Sequence, residues 1–183
     1  MSGGAHVDPS NKKIALLISI LALILAISET LGNGAQTKAL AANIEASNLW
    51  NFFQAKTVRM TVLRSSAEAM ETEAAGKPSP AVAAQIEKWR KTAERYDNEP
   101  ETNEGRKQLM ARAKALEASR DLAMAAYHQY EIASAAVQIA IVLASSAVIT
   151  GLSALTIAAF GLGLIGIAFT SVGLLAPTAI HVF

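Results

Sequence analysis

Apolar residues follow two patterns along this chain. Residues 14–31, IALLISILALILAISETL, are apolar on every face up to Glu29, and residues 132–180 contain no Asp, Glu, Lys or Arg. A run of about 20 apolar residues is what a helix needs to cross a bilayer. The first run predicts one transmembrane helix over 14–31, after a tail of residues 1–13 that ends in Lys12 and Lys13. The second is long enough for two more, over 132–150 and 154–175, with the turn TGLS between them and a tail of 176–183. A cleaved signal peptide is the rival reading of the first run, with Ala26-Ile27-Ser28 as its small-residue cleavage signal.

Between these runs, residues 32–131 place apolar residues three or four apart among charged ones, the spacing of one helix face. The first stretch, rich in Ala, Leu, Met, Glu and Lys, carries a stripe through Leu49, Phe53, Met60, Leu63, Ala67 and Met70, which Lys56 interrupts. It breaks at Gly76, before KPSP. A second helix follows with Ser79 as cap and Pro80 at its first position, where the missing proline amide costs nothing. Its Val82, Ile86, Trp89, Ala93 and Tyr96 form a short coiled-coil seam. After the polar loop DNEPETNEG, a long helix from about Glu104 carries Leu109, Ala113, Leu116, Ala123 and Tyr127 on one side and runs on toward the second apolar segment. The expected fold is therefore an all-α membrane protein. Three transmembrane helices carry a helical, coiled-coil-like extramembrane domain between the first and the second.

Gly161, Gly163 and Gly166 have the spacing of the dinucleotide fingerprint G-x-G-x-x-G. That motif acts only where a strand hands over to a helix N-terminus, so that backbone amides can reach a pyrophosphate. Here the glycines lie inside an apolar helix, which assigns them to packing. Ala159, Gly163, Gly166, Thr170 and Gly173 make one stripe of small residues, and Ala136, Ala140, Ala144, Ala147 and Gly151 make another. Helices in lipid associate where small residues let backbones approach. The two stripes predict either a hairpin within one chain or a contact between subunits.

Composition narrows the function classes. Sixteen basic and fifteen acidic residues leave a net charge of +1, so nothing draws the whole chain to nucleic acid. The absence of cysteine excludes disulfides, thiol catalysis and cysteine-ligated metals. His6, His128 and His181 are scattered, and His128 with Glu131 reverses the order of a helical diiron motif without a second copy. YHQYE, residues 127–131, suits an aromatic anchor at the membrane boundary. Glu68, Glu71 and Glu73 sit among small and polar residues, as a solvated helix end does. No catalytic constellation, cofactor site or metal site emerges, and the apolar runs carry no ionisable relay.

The segment ASNLWNFFQAKTVRMT resembles an uncharacterised bacterial membrane-protein family, a domain of unknown function whose members carry a similar tryptophan-aromatic-QAK-basic segment. Trp50, Phe52, Phe53, Gln54, Ala55, Lys56 and Arg59 carry the resemblance. The order of one span, a helical region and a closing apolar pair fits as well, although the turn TGLS lacks the basic residues relatives often have there. Trp50, Phe53, Gln54, Lys56 and Arg59 have two readings: a patch for an anionic partner or lipid headgroup, or a helix face with its aromatics turned into a core. The second is preferred, because few basic residues among matched acids make a small local field.

Lys12 and Lys13 favour a cytoplasmic N-terminus and a periplasmic middle domain in a bacterial inner membrane, while Arg112, Lys114 and Arg120 pull the other way. The expected partners are the lipid bilayer and further copies of the chain. The function expected is that of a non-enzymatic structural or scaffold protein assembling as a homo-oligomer through its helical seams and small-residue stripes. An accessory subunit of a larger membrane complex is the alternative.

Overall fold

The computed structural model describes residues 9–180, and its described residues form four helices and no strand: α1 (Pro9–Glu73), α2 (Pro80–Asp97), α3 (Arg106–Thr150) and α4 (Ser153–Leu175). His6 and His181 lie outside them, as do most of the N-terminal tail and the last residues of the C-terminal one. By length and composition, α1, α3 and α4 can each cross a membrane.

The first apolar run and the charged stretch after it share one helix, since α1 runs unbroken through residue 31 over 65 residues in all. Gly32 and Gly34 weaken a helix by about 1 kcal/mol each relative to alanine. No proline follows them, however, and the next turns offer buried Ala39, Ala42 and Ala46, so inward packing carries the helix on. α1 stops where Ala75 and Gly76 take positive φ of 49° and 73°. α2 starts as its sequence implies, with Pro80 in the first turn and the Ser79 hydroxyl accepting from the Val82 amide at 3.4 Å.

The chain divides into two compact units: Met1–Ala39 with Asp121–Phe183, and Leu40–Arg120. In the second, the 3–4 stripe of α1 faces inward: Leu49, Met60 and Ala67 are buried, as are Ile86 and Ala93 of α2, and Leu49 packs with Leu109 and Ala113 of α3. Trp50 and Phe53 stand edge to face, 5.4 Å between ring centres, against the Leu49–Leu109–Ala113 cluster. In the first unit, Leu21 of α1 meets Val137, Ala140 and Ala144 of α3 and Ala159 of α4. α3 and α4 are joined by a tight turn in which Gly151, at φ 69°, donates its amide to the Ala147 carbonyl at 2.9 Å.

Candidate packing sites and the buried lysine

Ala159, Gly163, Gly166, Thr170 and Gly173 are all buried along one face of α4. Each glycine faces a particular side chain. A β-carbon at Gly163 would lie 2.7 Å from Leu21 Cδ2 of α1. One at Gly166 would collide with Val137 Cγ2 of α3 and come within 3.3 Å of the Ala133 carbonyl oxygen. One at Gly173 would lie 2.6 Å from the Tyr130 ring. Leu21, Val137 and Tyr130 therefore occupy space that only glycine leaves open.

A polar contact lies on the same face. The Thr170 hydroxyl donates to the Gly166 carbonyl at 2.8 Å, which leaves Ser28 Oγ as the donor across the 2.8 Å contact with Thr170 Oγ1. Ser28 is fully buried, so this bond satisfies a hydroxyl that has no water to turn to. Hydrogen bonds of this kind between apolar helices contribute about 0.6 kcal/mol on average.

On α3, Ala136, Ala140, Ala144 and Ala147 are buried in line. Gly151 departs from that stripe. It follows the last residue of α3, is exposed, and nothing lies within 4 Å of where its β-carbon would be. Its work is the left-handed turn, where glycine carries no steric penalty. Of the two stripes, Ala140 and Ala144 of α3 share one buried cluster with Ala159 of α4. Sequence spacing identified the small residues but not the large ones that fill them. Tyr130, read as a boundary anchor, is 5% exposed and packs against Gly173 and Gly32. Its neighbour Gln129 is buried as well, donating through Nε2 to the carbonyls of Ile180 at 2.8 Å and Pro177 at 3.4 Å. His128 faces outward beside Glu131, 3.6 Å away.

The Trp50–Phe53–Gln54–Lys56–Arg59 set does not form one surface. Gln54 and Arg59 are exposed, whereas Trp50 and Phe53 turn inward and the Trp50 indole donates to Glu117 Oε1 at 2.8 Å. Lys56 is 5% exposed. Its ammonium donates to Glu99 Oε2 at 3.3 Å, lies 3.9 Å from Glu104, and sits over the rings of Phe52 at 5.2 Å and Tyr96 at 5.5 Å. A lysine so engaged cannot offer its charge to an anionic partner. A headgroup patch made of all five residues is therefore ruled out by geometry.

Arg106, which the sequence did not single out, completes the arrangement. It donates to Asp97 Oδ1 at 2.9 Å and Thr57 Oγ1 at 2.8 Å, with its guanidinium 4.8 Å from the centre of the Phe53 ring. These two cations tie the α2–α3 loop to the middle of α1. Lys56 breaking an apolar stripe was the one signal in the sequence. Its partners lie more than forty residues away, in a segment that reads only as polar. Of the acidic trio, Glu71 pairs with Arg90 of α2 on the exposed side. Among the described residues no three His, Asp or Glu side chains come together as a metal site.

Burial pushes the Glu99 carboxyl up. Hydrogen bonds from Lys56 and Thr102 and the charges of Lys56 and Arg95 outweigh it and hold the group below its ordinary 4.5. A carboxylate whose folded pKa is depressed stabilises the fold above its unfolded pKa, and that contribution is lost as pH falls through the folded value. The expected outcome is a decline in the thermal stability of residues 40–120 below pH 4.5, followed by tryptophan fluorescence. Glu99→Gln should flatten the decline, and an unchanged acid profile in that variant would assign it to other groups.

These features define an all-helical protein whose α1, α3 and α4 are long and apolar enough to cross a membrane and close on one another through glycine and alanine. The chain belongs to the family described as Domain of unknown function (DUF4337), whose model matches residues 10–176. The resemblance read from residues 50–59 pointed to such an uncharacterised family. No curated protein and no solved structure matches the chain.

Proposed function

We propose that this protein is a non-enzymatic membrane scaffold that assembles from several copies of itself. One observation carries the reading. In the most apolar windows of α1, α3 and α4, only 11%, 28% and 28% of the residues are buried within the chain. The remaining apolar surface, which includes Leu23, Val142, Ile149 and Ile157, needs lipid or protein to cover it. The glycine and alanine faces are taken up inside the chain, so subunits would meet through other surfaces. The placement that fits Lys12 and Lys13 is a bacterial inner membrane with residues 40–120 on the periplasmic side.

Purification of the full chain in mild detergent, with the protein composition read by mass spectrometry, tests this reading. An assembly containing only this chain supports it. Reproducible recovery with larger, unlike membrane subunits would favour the accessory-subunit reading, which the same uncovered faces also permit.

A further inference from the structure

Beside the ends of the apolar runs, α1 and α3 leave a cavity of about 370 Å³. Leu31 and Ala35 of α1, Leu122 and Ala126 of α3, and Pro177 beyond α4 supply its apolar walls. Gln129 keeps the last of these in place, because its Nε2 donates to the carbonyls of Pro177 and Ile180 and holds that segment against α3. At Gly34, which also lines the cavity, a β-carbon would meet nothing within 4 Å. The lining carries two polar side chains without partners, and both can donate. Lys38 is exposed and makes no ion pair or hydrogen bond with a described residue, and no Asp or Glu is among the described residues of the lining. Tyr130 is 5% exposed, yet its hydroxyl has no hydrogen-bond partner among the described residues, where a buried phenol normally has one.

We infer that this cavity holds an anionic phospholipid, with its phosphate at Lys38 and Tyr130 and its glycerol and upper chain carbons against the apolar walls. The inference rests on the membrane placement above and is independent of self-assembly. Depth supports it. Leu31 closes the first apolar run and Tyr130 stands two residues before the second, so the cavity lies where hydrocarbon gives way to headgroups. Lys38 follows Leu31 by two turns, roughly 10 Å along α1, and its flexible stem can bring the ammonium back to the phosphate level. Charge selects the occupant. A cation with no carboxylate beside it favours a headgroup of net negative charge over a zwitterionic one. A free phosphate would satisfy the two donors but leave the apolar walls to water. A neighbouring cavity between the same helices is lined by Glu29 and Glu131 and repels anions.

The full chain, purified in mild detergent and stripped of lipid, should retain phosphatidylglycerol in native mass spectrometry about tenfold more tightly than phosphatidylcholine with the same acyl chains. Lys38→Ala should remove that preference and Lys38→Arg should keep it. Lys88→Ala, an equal change of charge on the exposed side of α2, should leave it intact. Gly34→Leu puts a bulky side chain on the cavity wall without a backbone clash and with better helix propensity, so the fold survives, as circular dichroism can verify, while phosphatidylglycerol is lost. Equal retention of the two lipids, or unchanged binding in either Lys38→Ala or Gly34→Leu, overturns the site. Inorganic phosphate binding as tightly as phosphatidylglycerol overturns the lipid as its occupant. Failure of the chain to float with phosphatidylglycerol–phosphatidylcholine vesicles after reconstitution overturns the membrane placement and the site together, whereas a chain that floats but shows no lipid preference overturns the site alone.

Discussion

Gly166→Leu should lower the stability of the full chain in mild detergent by about 3 kcal/mol, the upper end for overpacking a close helix contact. The reason is local. The β-carbon position at Gly166 is already taken by Val137 Cγ2, with the Ala133 carbonyl oxygen 3.3 Å away, and a backbone group cannot rotate aside. Gly163→Leu should cost less, because its first obstacle, Leu21 Cδ2 at 2.7 Å, is the end of a side chain that can change rotamer. Gly161→Ala should be neutral or slightly stabilising, since nothing lies within 4 Å and alanine is the better helix former. Leu164→Ile, on the exposed side of α4, serves as the second control. Insertion into the membrane should survive in every case, because each substitution keeps or raises hydrophobicity. Thermal midpoints measured across the series should fall in the order Gly166, Gly163, Gly161, and equal midpoints would mean that α4 is not held by Val137 and Leu21.

Leu109→Ala should have a comparable effect on the charged half of the chain. Leu109 is fully buried against Leu49 and Ala113, with Trp50, Phe53 and Leu116 around it. Removing three carbons there forfeits their transfer free energy and leaves a cavity that α1 and α3 cannot easily close. Such changes cost 2–5 kcal/mol, and about 3 kcal/mol is expected here. Because Trp50 borders the site, its fluorescence should report the loosened packing directly. Val58→Ala, whose side chain is 63% exposed, should stay within about 0.5 kcal/mol of the unmodified protein in a single chain. Similar losses in both variants would mean that Leu109 is not part of the core.

Much of this architecture is legible from spacing because helices write their packing into a three-and-four repeat. The α4 line from Ala159 to Gly173 and the α3 line from Ala136 to Ala147 could be traced before any coordinates, since both depend on residues close in sequence. What fills the α4 glycines could not. Leu21 lies more than a hundred residues before Gly163, and nothing in a run of leucines and isoleucines marks it as the one that faces inward. Gly32 and Gly34 lower local helix propensity, yet α1 runs through them, and a β-carbon at Gly32 would make only an ordinary contact, 3.5 Å from Tyr130 Cβ. The buried Ala39, Ala42 and Ala46 of the next turns outweigh that local preference.

Lys56 shows the same limit in polar form. A cation in an apolar stripe is a visible anomaly, but its meaning depends on Glu99, Phe52 and Tyr96 arriving from two helices and a loop. Gln54 and Arg59 share its sequence segment and point elsewhere. A motif that looks contiguous in one dimension is thereby divided between a core and a surface.

The central claim, that copies of this chain join in the membrane, is tested most directly by weighing the protein in lipid nanodiscs formed from native membranes without prior detergent extraction. The account predicts a protein mass at a whole multiple of the single chain, two or more, with no other polypeptide present. A protein mass of one chain across the concentrations at which it occurs in the membrane would contradict it.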